Sequence, residues 1–288
     1  MTFYTLWKFS RPHTIIGSIV SIVVLFLLQG GQFVVHFTQL AVTLISALGC
    51  NVCITGLNQM VDVELDKINK PELPIAAGKL SMGTAKKIVW ISGLIALGAA
   101  AILHWVLLLL IAIILLLGIA YSLPPVQLKK HHLPAALAIT LVRGVLVNLG
   151  MAMHFAAMLH GGFHIQPVIY PLTIFISAFS LAIAWYKDLP DRAGDAHFGY
   201  KTFPLLYSPK TALYTGATFV VAAYAWCIFW SYQQAQSLLM YSLIALNIAF
   251  LLHLTTVRLQ EQASIRRFYQ LFWVFFFATY LSFLWVLC

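Results

Sequence analysis

The chain has 288 residues, of which 61% are hydrophobic and only 9% are charged. Soluble domains carry about 25% charged residues, so this composition excludes a soluble globular protein and indicates an integral membrane protein. The net charge of +9 is not accompanied by a basic and aromatic nucleic-acid module, so we expect no nucleic-acid partner.

The apolar runs predict nine membrane helices in one domain that covers residues 1–288. In chain order they occupy residues 14–29, 34–58, 85–103, 105–123, 133–159, 165–186, 211–232, 237–257 and 268–287. Most approach or exceed the ~20 residues that a helix needs to cross a bilayer. A membrane β-barrel would instead show ~10-residue stretches of alternating polarity, and these runs are apolar on every side. We therefore predict an all-α polytopic fold.

The positive charges lie on one side of this predicted topology. With nine spans, the N-terminus and the loops after the even-numbered spans share a side, and every Lys and Arg except Arg143 falls there. Loops rich in Lys and Arg stay in the cytoplasm. We therefore expect a cytoplasmic N-terminus and cytoplasmic acidic loops, and a bacterial inner membrane as the location.

The acidic residues are concentrated in two of these loops. Seven of the eight are Asp62, Glu64, Asp66, Glu72, Asp188, Asp191 and Asp195. On a helix, Asn58, Asp62 and Asp66 would fall within an arc of about 80°, so their oxygens can converge. The second cluster would span about 60° if it were helical, although Pro190 can break the first turn. Two facing groups of oxygen ligands favour Mg²⁺ with a diphosphate.

Each acidic loop is followed by a Ser-x-x-Thr-Ala segment, which begins at Ser81 in one case and at Ser208 in the other. Serine is a favoured N-cap, so both segments predict the start of the next span. This repeated arrangement suggests a pseudo-repeat whose acidic loops are residues 58–87 and 187–210. Two simpler interpretations of the acids remain open: loop carboxylates paired with nearby lysines, and a structural calcium site.

Five segments of the chain resemble motifs of one family. Residues 58–81 (Asn-Gln-x-x-Asp-x-x-x-Asp-Lys-x-Asn-Lys-Pro) resemble the first aspartate motif of the UbiA superfamily of intramembrane prenyltransferases, and residues 187–203 resemble the second. Residues 121–129 are similar to the family's segment between the fourth and fifth helices. Residues 9–14 and 143–150 are most similar to the homogentisate branch, whose donors are phytyl, geranylgeranyl or solanesyl diphosphate.

The resemblance implies a function and a set of site residues. It implies nine helices around a lipid-open central cavity that the two Asp-rich loops cap. It also implies Mg²⁺-dependent transfer of a prenyl group from a prenyl diphosphate to an aromatic acceptor such as homogentisate, within membrane lipid. The catalytic metal ligands would be Asp62, Asp66, Asp191 and Asp195, with Asn58 and Asp188 assisting.

Basic and aromatic residues complete the predicted site. We expect Arg11, Lys70, Lys129 and Arg143 to bind the diphosphate, because its oxygens need directional donors besides metal ions. Arg143 could equally have a structural role inside its span, paired with helix carbonyls or Asn148. Aromatic faces stabilise cations, so Tyr121, Trp185 and Tyr186 are predicted to shield the allylic carbocation.

Other functions remain open from the sequence. Other acceptors of the same reaction would be 4-hydroxybenzoate, a naphthoate, a chlorophyllide or a glycerol-phosphate lipid. A different class is an ion-coupled secondary transporter, which usually keeps its acids near the bilayer midplane. A scaffold that binds a prenyl diphosphate without turnover is the third alternative.

Overall fold

The computed structural model describes residues 2–288 and confirms the all-α membrane fold. Eight helices are long and apolar enough to cross a membrane, and a bent pair at the N-terminus supplies the ninth span. In chain order the nine are Pro12–Leu28, Phe37–Val61, Met82–Leu103, Trp105–Ser122, His132–His160, Ile169–Tyr186, Pro209–Gln233, Ser237–Thr255 and Gln262–Leu287. They correspond one to one with the predicted spans and are called the first to ninth spans below.

The first span begins at a sharp bend. The short helix Phe3–Phe9 meets Pro12–Leu28 at an angle of 72°. Pro12 suits the first turn of a helix because its missing N–H needs no partner there. Arg11, between the two helices, has a φ of 54°, in the left-handed region that non-glycine residues rarely adopt. The bend lays the basic N-terminal segment across one end of the bundle.

The nine spans form a closed ring in which each span contacts the next and the ninth returns to the first. Membrane helices associate closely where small residues let backbones approach. Gly49 shows this between the second and third spans, because a Cβ there would lie 2.8 Å from the Ser92 carbonyl oxygen. Ser46 Oγ also donates to the Ala96 carbonyl at 2.7 Å. The ring leaves room for cavities between the first, second, fifth and ninth spans.

The segments between spans are ordered at the basic end of the bundle. Two short helices, Val63–Asn69 and Arg192–His197, lie in the acidic loops, and Phe203–Leu206 follows the second of them. Both predicted serine caps form: Ser81 Oγ accepts from Thr84 N at 3.2 Å, and Ser208 Oγ accepts from Thr211 N at 2.9 Å. The third and seventh spans therefore begin where the sequence predicted, while the pseudo-repeat stays a prediction.

Candidate active site

The first acidic cluster lies where the second span ends. Asn58 is in its last turn and Asp62 is its C-cap, with the helix Val63–Asn69 following directly and carrying Asp66. The backbone keeps a helical register across the break, since Asp62 N donates to Asn58 O at 3.0 Å and Asp66 N to Asp62 O at 2.7 Å. The three side chains consequently face one side, as their spacing predicted.

The second acidic cluster is only partly helical. Asp188 lies in a turn after the sixth span, and Asp191 caps the helix Arg192–His197, which carries Asp195. Pro190 lies in this turn, so the predicted helix break is present. Asp188 pairs with Lys187 and lines the same cavity as Asp62, and Asp195 follows one helical turn after Asp191.

Asn69 joins the two acidic loops, a role that the sequence analysis did not find. Its Nδ2 donates to Asp195 Oδ1 at 3.3 Å, and its Oδ1 accepts from the Gly194 backbone N at 2.9 Å. A Cβ on Gly194 would lie 2.6 Å from Asn69 Oδ1, so glycine is needed for this approach. Arg266 of the ninth span donates to the Asn69 carbonyl at 3.0 Å. The amide bridge therefore fixes the spacing of the two clusters.

Together the loops cap a cavity of about 670 Å³, called the acid cavity below. Ten of the thirteen predicted site residues line it: Arg11, Asn58, Asp62, Asp66, Lys70, Tyr121, Lys129, Asp188, Asp191 and Asp195. The five aspartates are all buried, with 4–9% of their surface exposed. Burial of so many carboxylates requires compensating positive charge.

Lysines and an arginine supply part of that compensation. Lys129 Nζ lies 2.5 Å from Asp62 Oδ1, Lys70 pairs with Asp191, and Lys187 Nζ lies 2.5 Å from Asp188 Oδ1. Arg11 donates to Asn58 Oδ1 at 3.1 Å. Six acidic and six basic side chains line the cavity, the others being Asp66, Glu72, Asp195, Lys8 and Arg266. The formal charge of the lining is zero, so it can accept an anion together with metal ions.

The unsatisfied atoms of the cavity fit Mg²⁺. Asp66 Oδ2 and Asp191 Oδ1, one from each loop, are buried and have no hydrogen-bond partner within residues 2–288. No three His, Cys, Asp or Glu side chains of the described chain are arranged as a metal site by themselves. Mg²⁺ characteristically uses one or two carboxylates and completes its shell with water and substrate phosphates. The residues therefore fit an ion that binds together with a phosphorylated substrate.

Burial also shifts the acid equilibria of two aspartates. Burial, opposed by Arg11 and Lys70, raises the pKa of Asp66 to about 6. Burial and the neighbouring Asp188 raise the pKa of Asp195 to about 7. A cation beside either carboxyl group would lower its pKa again, because a nearby positive charge favours the ionised form.

Two of the predicted aromatic residues do not line the acid cavity. Tyr186 is fully buried, and its hydroxyl donates to the Leu213 carbonyl at 2.8 Å. Trp185 stacks on Phe203 with ring centroids 4.7 Å apart. The last turn of the sixth span therefore presents both rings to neighbouring protein, and the structure does not bring them to the predicted shielding position.

Other aromatic residues line the cavity in their place. Tyr200 lies in the second acidic loop, and Tyr269 and Trp273 lie on the ninth span. With Arg266, the last two recur at three or four residue intervals on one helix face. That spacing was the signal available in the sequence, and it places one face of the ninth span in the cavity lining.

Arg143 is the third predicted residue outside the acid cavity. It lines a separate cavity of about 170 Å³ in the middle of the bundle. Its guanidinium lies over the Trp273 ring at 4.7 Å from the centroid. Trp273 also lines the acid cavity, so Arg143 lies beside that cavity without lining it.

Three relatives are similar to this chain over nearly all of its length. The chain is 37% identical to a homogentisate phytyltransferase of Synechocystis sp. over 97% of its own length and 94% of the relative. It is 33% identical to homogentisate phytyltransferase 1 of Arabidopsis thaliana, covering 96% of this chain and 73% of that one. A coumarin 8-geranyltransferase of Citrus limon is 32% identical, and the match covers 96% of this chain and 75% of that one.

Solved structures share the fold. An apo UbiA homolog from Aeropyrum pernix superposes with a TM-score of 0.74 at 19% identity, covering 96% of this chain and 98% of that one. A UbiA homolog from Archaeoglobus fulgidus bound to DMAPP and Mg²⁺ gives a TM-score of 0.65 at 16% identity, covering 96% of this chain and 98% of that one. The UbiA prenyltransferase family profile matches residues 18–279. The chain is therefore a member of the UbiA prenyltransferase family and a membrane-embedded prenyl-transferring enzyme.

Proposed function

We propose that this enzyme uses Mg²⁺ to transfer a prenyl group from a prenyl diphosphate to homogentisate, with release of diphosphate. The observation that carries the proposal is the acid cavity, where five buried aspartates meet six basic side chains at one end of the bundle. The homogentisate phytyltransferases among its relatives support the acceptor. The solved homolog with DMAPP and Mg²⁺ supports the donor class and the ion.

The metal ligands would be Asp62, Asp66, Asp191 and Asp195. Bound there, Mg²⁺ would neutralise the departing diphosphate and act as a Lewis acid on it. Asn58 would orient Asp62, since its Nδ2 donates to Asp62 Oδ2 at 3.0 Å. Asp188, beside Lys187, would assist from the opposite loop.

The basic side chains would hold the diphosphate. Lys70 and Lys129 now pair with aspartates that the metal would use, so metal binding would release their ammonium groups toward phosphate oxygens. Arg11, at the bend before the first span, would add a planar pair of donors. Charge-assisted hydrogen bonds of this kind are the stronger ones.

Aromatic and apolar groups would protect the allylic cation formed as the C–O bond breaks. Tyr121, Tyr269 and Trp273 line the cavity, and aromatic faces attract cations. Apolar side chains of the surrounding spans would limit the access of water, which would otherwise capture the cation before the acceptor ring does. The electron-rich ring carbon then forms the new C–C bond and loses its proton.

We further propose that the acid cavity faces the cytoplasm of a bacterial inner membrane. All basic residues except Arg143 lie on the side of the acidic loops, and cytoplasmic loops collect such charges. A cytoplasmic opening would give access to Mg²⁺ and to a water-soluble aromatic acid, while the donor chain lies in the lipid.

Pyrophosphate release by the purified protein tests the proposal. Phytyl and geranylgeranyl diphosphates would each be supplied with homogentisate, in the presence of Mg²⁺ or of a chelator. We expect release that requires both Mg²⁺ and acceptor, with a prenylated aromatic product. Asp62→Asn and Asp191→Asn should each lower kcat/KM by at least ~100-fold, since each removes a ligand of the ion that stabilises the leaving group.

Glu64→Gln is the matched control. Glu64 lies between Asp62 and Asp66 in sequence, but it is exposed and pairs with Lys67 at 2.7 Å outside the cavity. It should keep wild-type activity. Release with a coumarin or 4-hydroxybenzoate but not with homogentisate would refute the acceptor and retain the reaction. Absence of release with every donor and acceptor, from folded protein, would refute the proposed function.

A further inference from the structure

A second cavity lies deeper in the bundle than the acid cavity and has a different chemistry. It has a volume of about 170 Å³ and is called the arginine cavity below. Its polar lining includes Asn51, Thr55, Arg143 and Tyr280, and within residues 2–288 no Asp or Glu lines it. Arg143 is therefore the charged group of an otherwise neutral cavity.

Arg143 has no anionic partner in the described chain. None of the salt bridges within residues 2–288 involves it, and its buried Nε has no hydrogen-bond partner. Its guanidinium contacts aromatic faces, 4.7 Å from the Trp273 centroid and 5.7 Å from that of Phe276. A guanidinium inside a membrane span is costly, and such groups usually face a cavity or pathway. The missing partner would be an anion.

The backbone holds Arg143 in place. It lies in a π-helical segment, Thr140–Gly150, within the fifth span, and such segments are frequent at functional sites. Asn148 Nδ2 donates to the Arg143 carbonyl at 3.0 Å and to the Gly144 carbonyl at 2.8 Å. Tyr280 of the ninth span donates its hydroxyl to Asn148 Oδ1 at 2.8 Å. These bonds fix the helix around Arg143 while leaving its guanidinium free.

The arginine cavity lies below the acid cavity along the second span. Asn51 and Thr55 precede Asn58 on one face of that helix, so Asn51 is about 10 Å deeper than the metal end. Trp273 lines the acid cavity and its ring contacts the Arg143 guanidinium, so the two cavities are neighbours. A single-ring aromatic acid whose carboxylate meets Arg143 would present its reacting carbon toward the acid cavity.

We propose that the arginine cavity is the acceptor subsite and that Arg143 binds the carboxylate of a single-ring aromatic acid. This inference rests on the proposed function and names the group that selects its acceptor. The cavity is smaller than the ~300–1,000 Å³ typical of sites for drug-sized ligands, so its size suits a single ring. Planar, bidentate recognition of carboxylates is characteristic of arginine.

Equilibrium binding by the purified protein tests the inference without turnover. The two probes are homogentisate and its alcohol analogue, in which a hydroxymethyl group replaces the carboxyl group. Wild-type protein should bind the acid at least ~10-fold more tightly, because only the acid makes a charge-assisted bond to the guanidinium. Arg143→Met should bind both probes equally, and Arg143→Lys should retain part of the preference. Arg267→Met, which removes an exposed arginine of the ninth span, is the control.

Steady-state kinetics give a second readout. Arg143→Met should raise the KM for homogentisate while leaving the KM for the donor and the Mg²⁺ dependence unchanged. A rise in the donor KM instead would overturn the inference and return Arg143 to the diphosphate. Equal binding of the acid and the alcohol by wild-type protein would also overturn it, and this comparison needs no folded variant. Failure of the proposed function would appear separately, as no homogentisate-dependent pyrophosphate release by wild-type protein.

Discussion

Lys129 and Asp62 form the most buried ion pair of the acid cavity, and removing the lysine gives a sharp test of how the site is balanced. Lys129 is 5% exposed and Asp62 is 7% exposed. Breaking a buried pair by removing one partner typically costs about 3–5 kcal/mol, because an uncompensated charge remains. Asp62 keeps the Asn58 amide at 3.0 Å, so we expect the lower end for Lys129→Met, about 3 kcal/mol.

The expected loss can be measured as a thermal shift. At roughly 2 °C per kcal/mol for a chain of this size, Lys129→Met should lower the unfolding midpoint by about 6 °C in a chelator. Saturating Mg²⁺ supplies a positive charge beside Asp62, so the deficit should shrink. Tryptophan fluorescence of detergent-solubilised protein would follow unfolding at one fixed scan rate, because membrane proteins of this size often unfold irreversibly.

Two further variants separate the charge effect from lost packing. Lys130→Met removes the neighbouring lysine, which makes no salt bridge within the described residues, and should leave the midpoint nearly unchanged. The double change Lys129→Met with Asp62→Asn removes both charges and should recover most of the stability. A midpoint of Lys129→Met equal to wild type, or a deficit that Mg²⁺ does not reduce, would refute the pairing argument.

Three other outcomes follow from the site. Gly194→Ala should lower kcat/KM by ~10-fold or more, measured by pyrophosphate release. Its Cβ would clash with the Asn69 side chain and disturb the spacing of the two acidic loops. Unchanged activity would contradict the role of the amide bridge. Lys70→Met should raise the donor KM with little change in acceptor KM, and the reverse split would assign Lys70 to the acceptor. Burial raises the pKa of Asp66 to about 6 and that of Asp195 to about 7, so Mg²⁺ would have to displace protons from both at low pH. The affinity for Mg²⁺, measured by calorimetry, should be about 20-fold weaker at pH 6 than at pH 8. An affinity that does not change with pH would refute this competition.

Short-range sequence patterns determined the membrane spans, their serine caps and the first acidic cluster of the site. Span lengths follow from runs of apolar residues, and the cap serines at 81 and 208 act through bonds three residues away. The shared face of Asn58, Asp62 and Asp66 follows from helical periodicity, which survives the break at residue 62. Each of these depends on neighbours in sequence, so the sequence alone predicts them.

The tertiary structure decided which faces of the spans meet. Helices that are apolar all round carry no polar stripe to specify their rotation, so the sequence could not tell that Trp185 and Tyr186 turn away from the acid cavity. Asn69 lies 126 positions from the aspartate it contacts, and only folding brings them together. Arg143 was visible as a charge inside a span, but its lack of an anionic partner depends on what surrounds it in space.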